Sequence, residues 1–297
     1  MARKKKRPTI VGPFIIVTLL LLGLWKMIDS YEPIPVSLDN AEEIQALVDE
    51  VSYGKVQVNW REVAAIVKME HSMDTVTSSQ IKHTAKQFIG RKNGEYTLKT
   101  LKSVMQEEHF TKSERDTIQN TVKSLNKQYS DPNVSTQQAF INKMKEGAIA
   151  NYQQYGILPS VTIAQAVLES NWGNSGLTKS YNNLFGIKGH NWDGATANLS
   201  TKENYNDQTK SEFRVYASLE ESIKDHGKFL VENERYKKNG LFDGQTYQEQ
   251  TKALEDAGYS TAVNENGEKI YSSMLIDIIQ SYQLQVIDSE AELALNA

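Results

Sequence analysis

One helix-forming stretch holds a single carboxylate among apolar residues. When residues 160–170 are placed on a helix at 100° per residue, their apolar side chains cover most of the circumference, and Gln165 and Glu169 share the remaining stripe. Glu169 therefore lies either on a thin solvated edge or in an internal cleft. In a cleft, burial would raise the pKa of Glu169 and keep it protonated near neutral pH, as a general acid requires.

The residues that follow this stretch are unusual for a plain surface. Residues 171–173 read Asn-Trp-Gly, and residues 182–189 read Asn-Asn-Leu-Phe-Gly-Ile-Lys-Gly. Aromatic rings can stack on sugar faces, and side-chain amides can bond hydroxyl and acetamido groups. The combination favours a carbohydrate as ligand.

Residues 160–173 and 182–189 together resemble the paired signature of the bacterial peptidoglycan endo-β-N-acetylglucosaminidases, a family with autolysin and flagellum-associated wall hydrolases. The resemblance covers about residues 136–288. It implies a lysozyme-like α+β fold, no cofactor, and cleavage of the β-1,4 bond between N-acetylglucosamine and N-acetylmuramic acid. It implies that Glu169 is the general acid. The substrate-binding residues that we expect are Gln165, Trp172, Asn182, Asn183, Phe185 and Tyr271.

A second carboxylate is expected from a β-hairpin lobe. The family has a Thr-x-Glu setting there, which Thr201 and Glu203 match. The resemblance implies that Glu203 acts as base, nucleophile or electrostatic stabiliser; an ordinary hairpin charge is the alternative, and Glu212 is the nearest rival. The separation of two such carboxylates decides the stereochemistry, and a 2-acetamido group could itself attack instead.

The third catalytic candidate is Tyr259. The family has an active-site tyrosine in a Gly-Tyr-Ala-Thr-Asp-Pro stretch, and residues 258–261 read Gly-Tyr-Ser-Thr. The Asp-Pro is missing and the loop is a few residues longer, so its contacts with substrate are expected to differ. A packing role for Tyr259 is the alternative. Tyr271 corresponds to a second tyrosine of the family.

Other kinds of active site do not fit the sequence. The chain has no cysteine, which excludes thiolate zinc sites, disulfides and cysteine nucleophiles. Its five histidines include no pair at i, i+4, so a zinc hydrolase is not expected. No glycine-rich phosphate loop is present. We expect no metal.

The N-terminus predicts a membrane anchor. Residues 8–25 are 18 residues without a charge, about 27 Å of helix. Five basic residues at 3–7 precede them and keep that end cytoplasmic. A cleaved signal peptide is the alternative, but no small-x-small cleavage site follows. We expect a cytoplasmic tail at 1–7, an uncleaved transmembrane helix at 8–28 and an extracytoplasmic catalytic domain facing a Gram-positive-type cell wall.

The rest of the chain divides at the Ser-Asp-Pro-Asn break of residues 130–133. We predict a helical spacer domain at 29–134, a glucosaminidase domain at 135–288 and a tail at 289–297. Helical periodicity dominates, with one hairpin near 195–217, so the predicted class is α+β, mainly α.

Charge indicates the partners. The first 26 residues hold six of the 33 basic residues and no acidic one, so the remainder carries 27 basic and 37 acidic side chains. An acidic body disfavours nucleic acid as a partner.

We expect peptidoglycan glycan strands as substrate. Gly12 and Gly23 suggest that the anchor packs against an integral-membrane protein. The alternative function is a catalytically weak peptidoglycan-binding or scaffolding protein.

Overall fold

The computed structural model describes residues 41–71, 73, 75–130, 135–204 and 207–295. The predicted cytoplasmic tail at 1–7 and transmembrane helix at 8–28 lie outside these residues. Within the part of the chain that is described, no helix combines the length and the apolar character needed to cross a bilayer.

The first half of the described chain is a helical unit with one hairpin. Its core surrounds the fully buried indole of Trp60. The amphipathic patterns of residues 77–90 and 112–129 predict two helices. Both are present, the first ending at Gln87 and the second at Ser130. The elements are α1 (Ala41–Ser52), α2 (Trp60–Glu70), α3 (Ser78–Gln87), β1 (Ile89–Lys92), β2 (Glu95–Leu98), α4 (Leu101–Glu107) and α5 (Lys112–Ser130).

The segment between α3 and α4 is polar, which predicts a loop, but it forms the β1–β2 hairpin. Its turn residues, Asn93 and Gly94, have φ angles of 54° and 90°. An Asn-Gly pair is the typical sequence of a two-residue hairpin turn, because both residues tolerate positive φ. Each strand has only four residues, too few for an alternating pattern to stand out.

The second half is also helical, with a second antiparallel hairpin formed by β3 and β4. The described chain is therefore mainly helical α+β, as predicted. The elements are α6 (Thr136–Tyr155), α7 (Pro159–Ser170), α8 (Gly176–Tyr181), β3 (Thr196–Asn204), β4 (Asp207–Arg214), α9 (Leu219–Glu232), α10 (Glu234–Lys238), α11 (Tyr247–Asp256), α12 (Tyr271–Ser281) and α13 (Gln285–Leu295).

Residue types predict the caps at several helix ends: Gly156 as a C-cap, and Ser218 and Thr246 as N-caps. Gly156 ends α6 in the left-handed conformation, with φ of 72°. Ser218 caps α9 by accepting a hydrogen bond from the Glu221 N–H at 3.2 Å. At the start of α11 the Glu249 carboxylate accepts from the Thr246 N–H at 3.0 Å. Local sequence therefore determines these boundaries.

Helix α7 lies at the centre of the second half. It packs against α6, α11, α12 and α13, and all twelve of its residues are buried. This enclosure explains why its sequence is apolar on almost every side. A helix covered on all faces has no solvated stripe.

Helix α13 is shared by both halves. Val286 is part of the core of the first half, whereas Ile287 belongs to the core of the second. The helix continues to Leu295, so it crosses the boundary predicted at 288/289. The first half thus packs directly on the second.

Hydrogen bonds reinforce this packing. The Gln45 side chain donates to the Gln280 carbonyl at 3.2 Å. The Tyr247 hydroxyl donates to the Asp49 carboxylate at 2.8 Å. The raised pKa of Asp49, about 6, follows from its burial. Residues 41–130 are therefore joined to the α11–α12 region by polar as well as apolar contacts.

Candidate active site

Glu169 lies near the C-terminal end of α7, and the helix ends at Asn171 in the left-handed conformation. Only 8% of the Glu169 surface is exposed. The sequence left open whether Glu169 lies on a solvated edge or in an internal cleft, and in the structure its side chain is enclosed. The reason is tertiary, because the neighbouring helices cover the stripe that Gln165 and Glu169 share.

A chain of hydrogen bonds connects this stripe to α12. The Tyr271 hydroxyl donates to Glu169 Oε1 at 2.9 Å. Gln165 Nε2, one turn before Glu169, donates to the Tyr271 hydroxyl at 3.0 Å. Tyr271 thus contacts the candidate acid directly, and Gln165 acts on it through the Tyr271 hydroxyl. They hold its carboxyl group in one orientation.

Burial sets the charge state of Glu169. Desolvation raises the pKa of Glu169 to about 7, against a smaller lowering by the hydrogen bond from Tyr271. Burial also raises the pKa of Tyr271 well above its ordinary value, so its hydroxyl keeps its proton and remains a donor. A carboxyl group that titrates near 7 can be protonated at neutral pH and still give up its proton. These are the properties of a general acid.

This titration predicts the pH dependence of hydrolysis. A general acid acts in its protonated form, so kcat/KM should fall as pH rises through about 7. Tyr271→Phe removes the donor that lowers the pKa of Glu169, so the alkaline limb should move to higher pH. Tyr53→Phe, at an exposed tyrosine, is the control and should leave the limb in place. A limb that stays or moves to lower pH in Tyr271→Phe contradicts the assignment.

Tyr259 lies against the other side of Tyr271. Their rings stack with centroids 5.3 Å apart and an interplanar angle of 17°. The ring of Tyr236 is 6.1 Å from that of Tyr259. Burial, with the nearby charge of Glu169 as the next cause, raises the pKa of Tyr259 well above its ordinary value. The structure thus brings Tyr259 together with Glu169, Gln165 and Tyr271.

The Asn-Asn-Leu-Phe-Gly block is built into the protein. The Asn183 amide donates to the carbonyls of Ile187 and Arg214 at 3.0 and 2.8 Å, and its oxygen accepts from the Ile187 N–H at 3.1 Å. Asn182 donates to the Tyr216 carbonyl at 2.9 Å. These amides therefore tie the loop to the end of β4. Their contacts in the structure are with backbone groups.

The two aromatic candidates differ in environment. Phe185 is fully buried. Trp172 is half-buried and packs edge-on against Tyr282 and Phe140, at centroid distances of 4.8 and 5.8 Å. Trp172 follows Glu169 by three residues in the chain and is partly exposed. Its role in binding stays a prediction.

Sequence reasoning missed the ion pair that fixes the hairpin lobe to α9. Arg214, the last residue of β4, donates to the Asp225 carboxylate at 2.7 Å, and Tyr216 donates to the same oxygen at 2.6 Å. Arg214 also lies over the Trp192 ring at 4.6 Å. Nothing in the local sequence singles out this pair, because the partners are brought together by the turn into α9.

The second carboxylate candidates lie on this lobe. Glu203 belongs to β3 at a register shift between Lys202 and Asn204. Such a bulge changes the direction in which side chains point. The alternation of side chains along β3 therefore does not predict the face on which Glu203 lies. The Glu203 side chain is outside the described part of the structure. Glu212, in β4, pairs with Asn198 of β3 and is exposed.

The N-terminal end of α7 differs from the prediction. The residue type of Ser160, directly after Pro159, predicts that it caps this helix. The helix instead begins at Pro159, and Leu158 occupies the cap position without a side-chain bond. Ser160 instead donates to Asp288 twice, from its N–H at 2.8 Å and from its hydroxyl at 2.6 Å. Asp288, from α13, supplies the acceptor that the local sequence lacks. It thereby anchors the helix that carries Glu169.

Asp288→Ala should therefore destabilise the protein. Both Ser160 donors would remain buried without an acceptor, at a cost of about 1–3 kcal/mol. Urea denaturation of wild type and variant measures the loss. Asp243→Ala, at an exposed loop carboxylate, should change stability by less than about 0.5 kcal/mol. Equal stabilities for Asp288→Ala and wild type would show that Asp288 does not anchor α7.

The described residues contain no group of three histidine or acidic side chains that could hold a metal ion. The expectation that the reaction needs no metal stays a prediction.

Comparison with known proteins finds similarity over about half of the chain. The glucosaminidase family model, described as mannosyl-glycoprotein endo-beta-N-acetylglucosaminidase, matches residues 145–284. Exo-glucosaminidase LytG of Bacillus subtilis is 35% identical over 161 residues, covering 52% of this chain and 55% of LytG. Peptidoglycan hydrolase FlgJ of Escherichia coli is 33% identical over 148 residues, covering 47% of this chain and 46% of FlgJ. A probable N-acetylmuramidase of Lactococcus lactis is 36% identical, covering 51% of this chain and 35% of that protein.

Among solved structures, the catalytic domain of the autolysin Auto from Listeria monocytogenes is 36% identical. The match covers 52% of this chain and 88% of that chain, with a TM-score of 0.46. The chain spans about half the length of LytG and FlgJ.

Proposed function

We propose, from the match of residues 145–284 to the glucosaminidase family model, that the protein is a glycoside hydrolase that cleaves peptidoglycan glycan strands. The bond that we assign is the β-1,4 bond between N-acetylglucosamine and N-acetylmuramic acid. Relatives named as peptidoglycan hydrolases support the substrate class. The observation that carries the proposal is the buried carboxyl group of Glu169, which the Tyr271 hydroxyl orients at 2.9 Å and which titrates near neutral pH.

The proposed reaction assigns one task to each candidate. Glu169 protonates the glycosidic oxygen of the leaving sugar. Glu203 stabilises the oxocarbenium-like transition state or activates water. Tyr259 orients the sugar whose glycosidic bond breaks.

Product analysis tests the assigned bond. Purified sacculi are digested with the full-length protein, and the products are reduced with borohydride and identified by mass spectrometry. Reduced N-acetylglucosamine ends are expected. Reduced N-acetylmuramic acid ends would instead indicate N-acetylmuramidase activity, the activity given in the name of the lactococcal relative. Disaccharides released from the start indicate exo cleavage, and longer fragments indicate endo cleavage.

A folded wild-type protein that releases no product would overturn the enzymatic proposal. Co-sedimentation with sacculi would then test the alternative, a peptidoglycan-binding or scaffolding protein. This measurement does not depend on hydrolysis.

We also propose that residues 8–28 anchor the protein in the cell membrane, with the catalytic domain outside. The support is the uncharged run at 8–25 behind five basic residues. Alkaline carbonate should leave the full chain in the membrane fraction and release a variant that begins at residue 30. Protease added to intact protoplasts should degrade the catalytic domain. Release of the full chain by carbonate, or protection from protease, would contradict this placement.

The anchor is also proposed to contact an integral-membrane protein through Gly12 and Gly23. Exchanging residues 8–28 for an unrelated transmembrane helix should then change wall hydrolysis in cells. Unchanged hydrolysis would indicate that the anchor only tethers the protein to the membrane.

A further inference from the structure

A buried histidine lies beneath the candidate active site. His226, on α9, has no exposed surface. Its ring stacks on Phe185 at a centroid distance of 3.8 Å and an angle of 11°. On the other side it meets Tyr259 edge-on, at 6.1 Å and 76°. Phe185, one of the expected substrate-binding residues, thus supports the histidine that in turn contacts Tyr259.

The two ring nitrogens of His226 have different surroundings. Nε2 is 3.4 Å from the Tyr259 hydroxyl oxygen. Nδ1 is fully buried and has no hydrogen-bond partner among the described residues. Burial lowers the pKa of His226 to about 3. The ring is therefore neutral and carries its single proton on one of these two nitrogens.

The two tautomers leave different groups unsatisfied. A proton on Nδ1 would bury an N–H donor without an acceptor, while Nε2 accepted from Tyr259. A proton on Nε2 leaves only a lone pair on Nδ1 unused, and the N–H donates to the Tyr259 oxygen. Orphaned N–H groups are the rarer case in proteins, so the surroundings favour the proton on Nε2.

We propose that His226 is a positioning residue, whose Nε2–H donates to the Tyr259 hydroxyl oxygen and leaves the Tyr259 proton free for another acceptor. In a complex with glycan, that acceptor is an oxygen of the bound sugar. His226 thus makes Tyr259 a hydrogen-bond donor to substrate, instead of a donor to the protein interior. The last step rests on the proposed function.

The tautomer can be measured without substrate. The full-length protein is labelled with ¹⁵N-histidine, and the His226 signals are identified among the five histidines by their loss in His226→Phe. Long-range proton–nitrogen correlation should show a protonated Nε2 and an unprotonated Nδ1. A protonated Nδ1, or an imidazolium at neutral pH, overturns the proposal.

A double-mutant cycle tests the consequence for catalysis. His226→Phe retains a ring against Phe185 but lacks the N–H, and kcat/KM should fall about tenfold. In a Tyr259→Phe background the same change should have no further effect, because His226 acts through the Tyr259 hydroxyl. His226→Gln, which can place an amide N–H near the former Nε2, should recover part of the loss.

Other outcomes separate positioning from packing. Equal fold losses in both backgrounds, or no recovery with Gln, would show that His226 only fills space and would overturn the proposal. His83→Phe, at an exposed histidine of α3, is the matched control and should leave kcat/KM unchanged. An inactive wild type would refute the proposed function, whereas the tautomer measurement would still decide the state of His226.

Discussion

Glu169→Gln is expected to lower the rate of glycan hydrolysis by about 10²–10⁴-fold, the usual contribution of a positioned general acid. The amide has the shape of the protonated carboxyl group and can still accept the hydrogen bond from Tyr271. It cannot donate a proton to the leaving oxygen. The loss should therefore appear in kcat, measured as reducing ends released from sacculi.

We do not expect Glu169→Gln to lower the stability of the folded protein. The raised pKa of Glu169, about 7, means that the folded protein disfavours the carboxylate. A neutral amide avoids this cost, so thermal unfolding at pH 8 should occur at the same or higher temperature than in wild type. Glu146→Gln, at an exposed carboxylate of α6, should retain full activity. A Glu169→Gln protein with wild-type rates would remove Glu169 from the mechanism.

The second large effect is expected from the hairpin lobe. Glu203→Gln should lower kcat by about 10²-fold or more if this carboxylate stabilises the transition state or activates water, because glycosidases of this type use two carboxylates. Glu212→Gln is the matched control on the paired strand and should stay within about twofold of wild type, as expected for an exposed surface residue.

A large loss of kcat in Glu212→Gln and a small one in Glu203→Gln would exchange the roles of the two glutamates. Equal and small effects would favour attack by the 2-acetamido group of the substrate, which needs no second nucleophile from the protein. Proton NMR of freshly formed products adds an independent readout. A retained anomer fits a covalent or substrate-assisted route, and an inverted anomer fits Glu203 as a base for water.

Local sequence was sufficient for much of the architecture. The caps at Gly156, Ser218 and Thr246 are set by residues within a few positions of each helix end, so their chemistry can be read directly. The apolar circumference of residues 160–170 likewise predicts a largely buried helix, and all twelve residues of α7 are buried. Asn93-Gly94 is also a local signal, because an Asn-Gly pair is typical of a two-residue hairpin turn.

The capping of α7 shows where local reading fails. Ser160 has the right residue type and position for a cap, but it donates to Asp288, which lies 128 residues later in the chain. A side chain with both donor and acceptor capacity does not indicate which it will use. The choice depends on which group the fold places against it.

The sequence by itself determined which residue types stand near the site: one carboxylate on an apolar helix, followed by aromatics and amides that resemble a known family. It left open whether Glu169 is solvated or enclosed. Only the tertiary structure decided this, because Tyr271 reaches Glu169 across 102 residues and Tyr259 meets His226 across 33. Burial and its effect on pKa are properties of everything that surrounds a group, so they arise only when distant helices pack together.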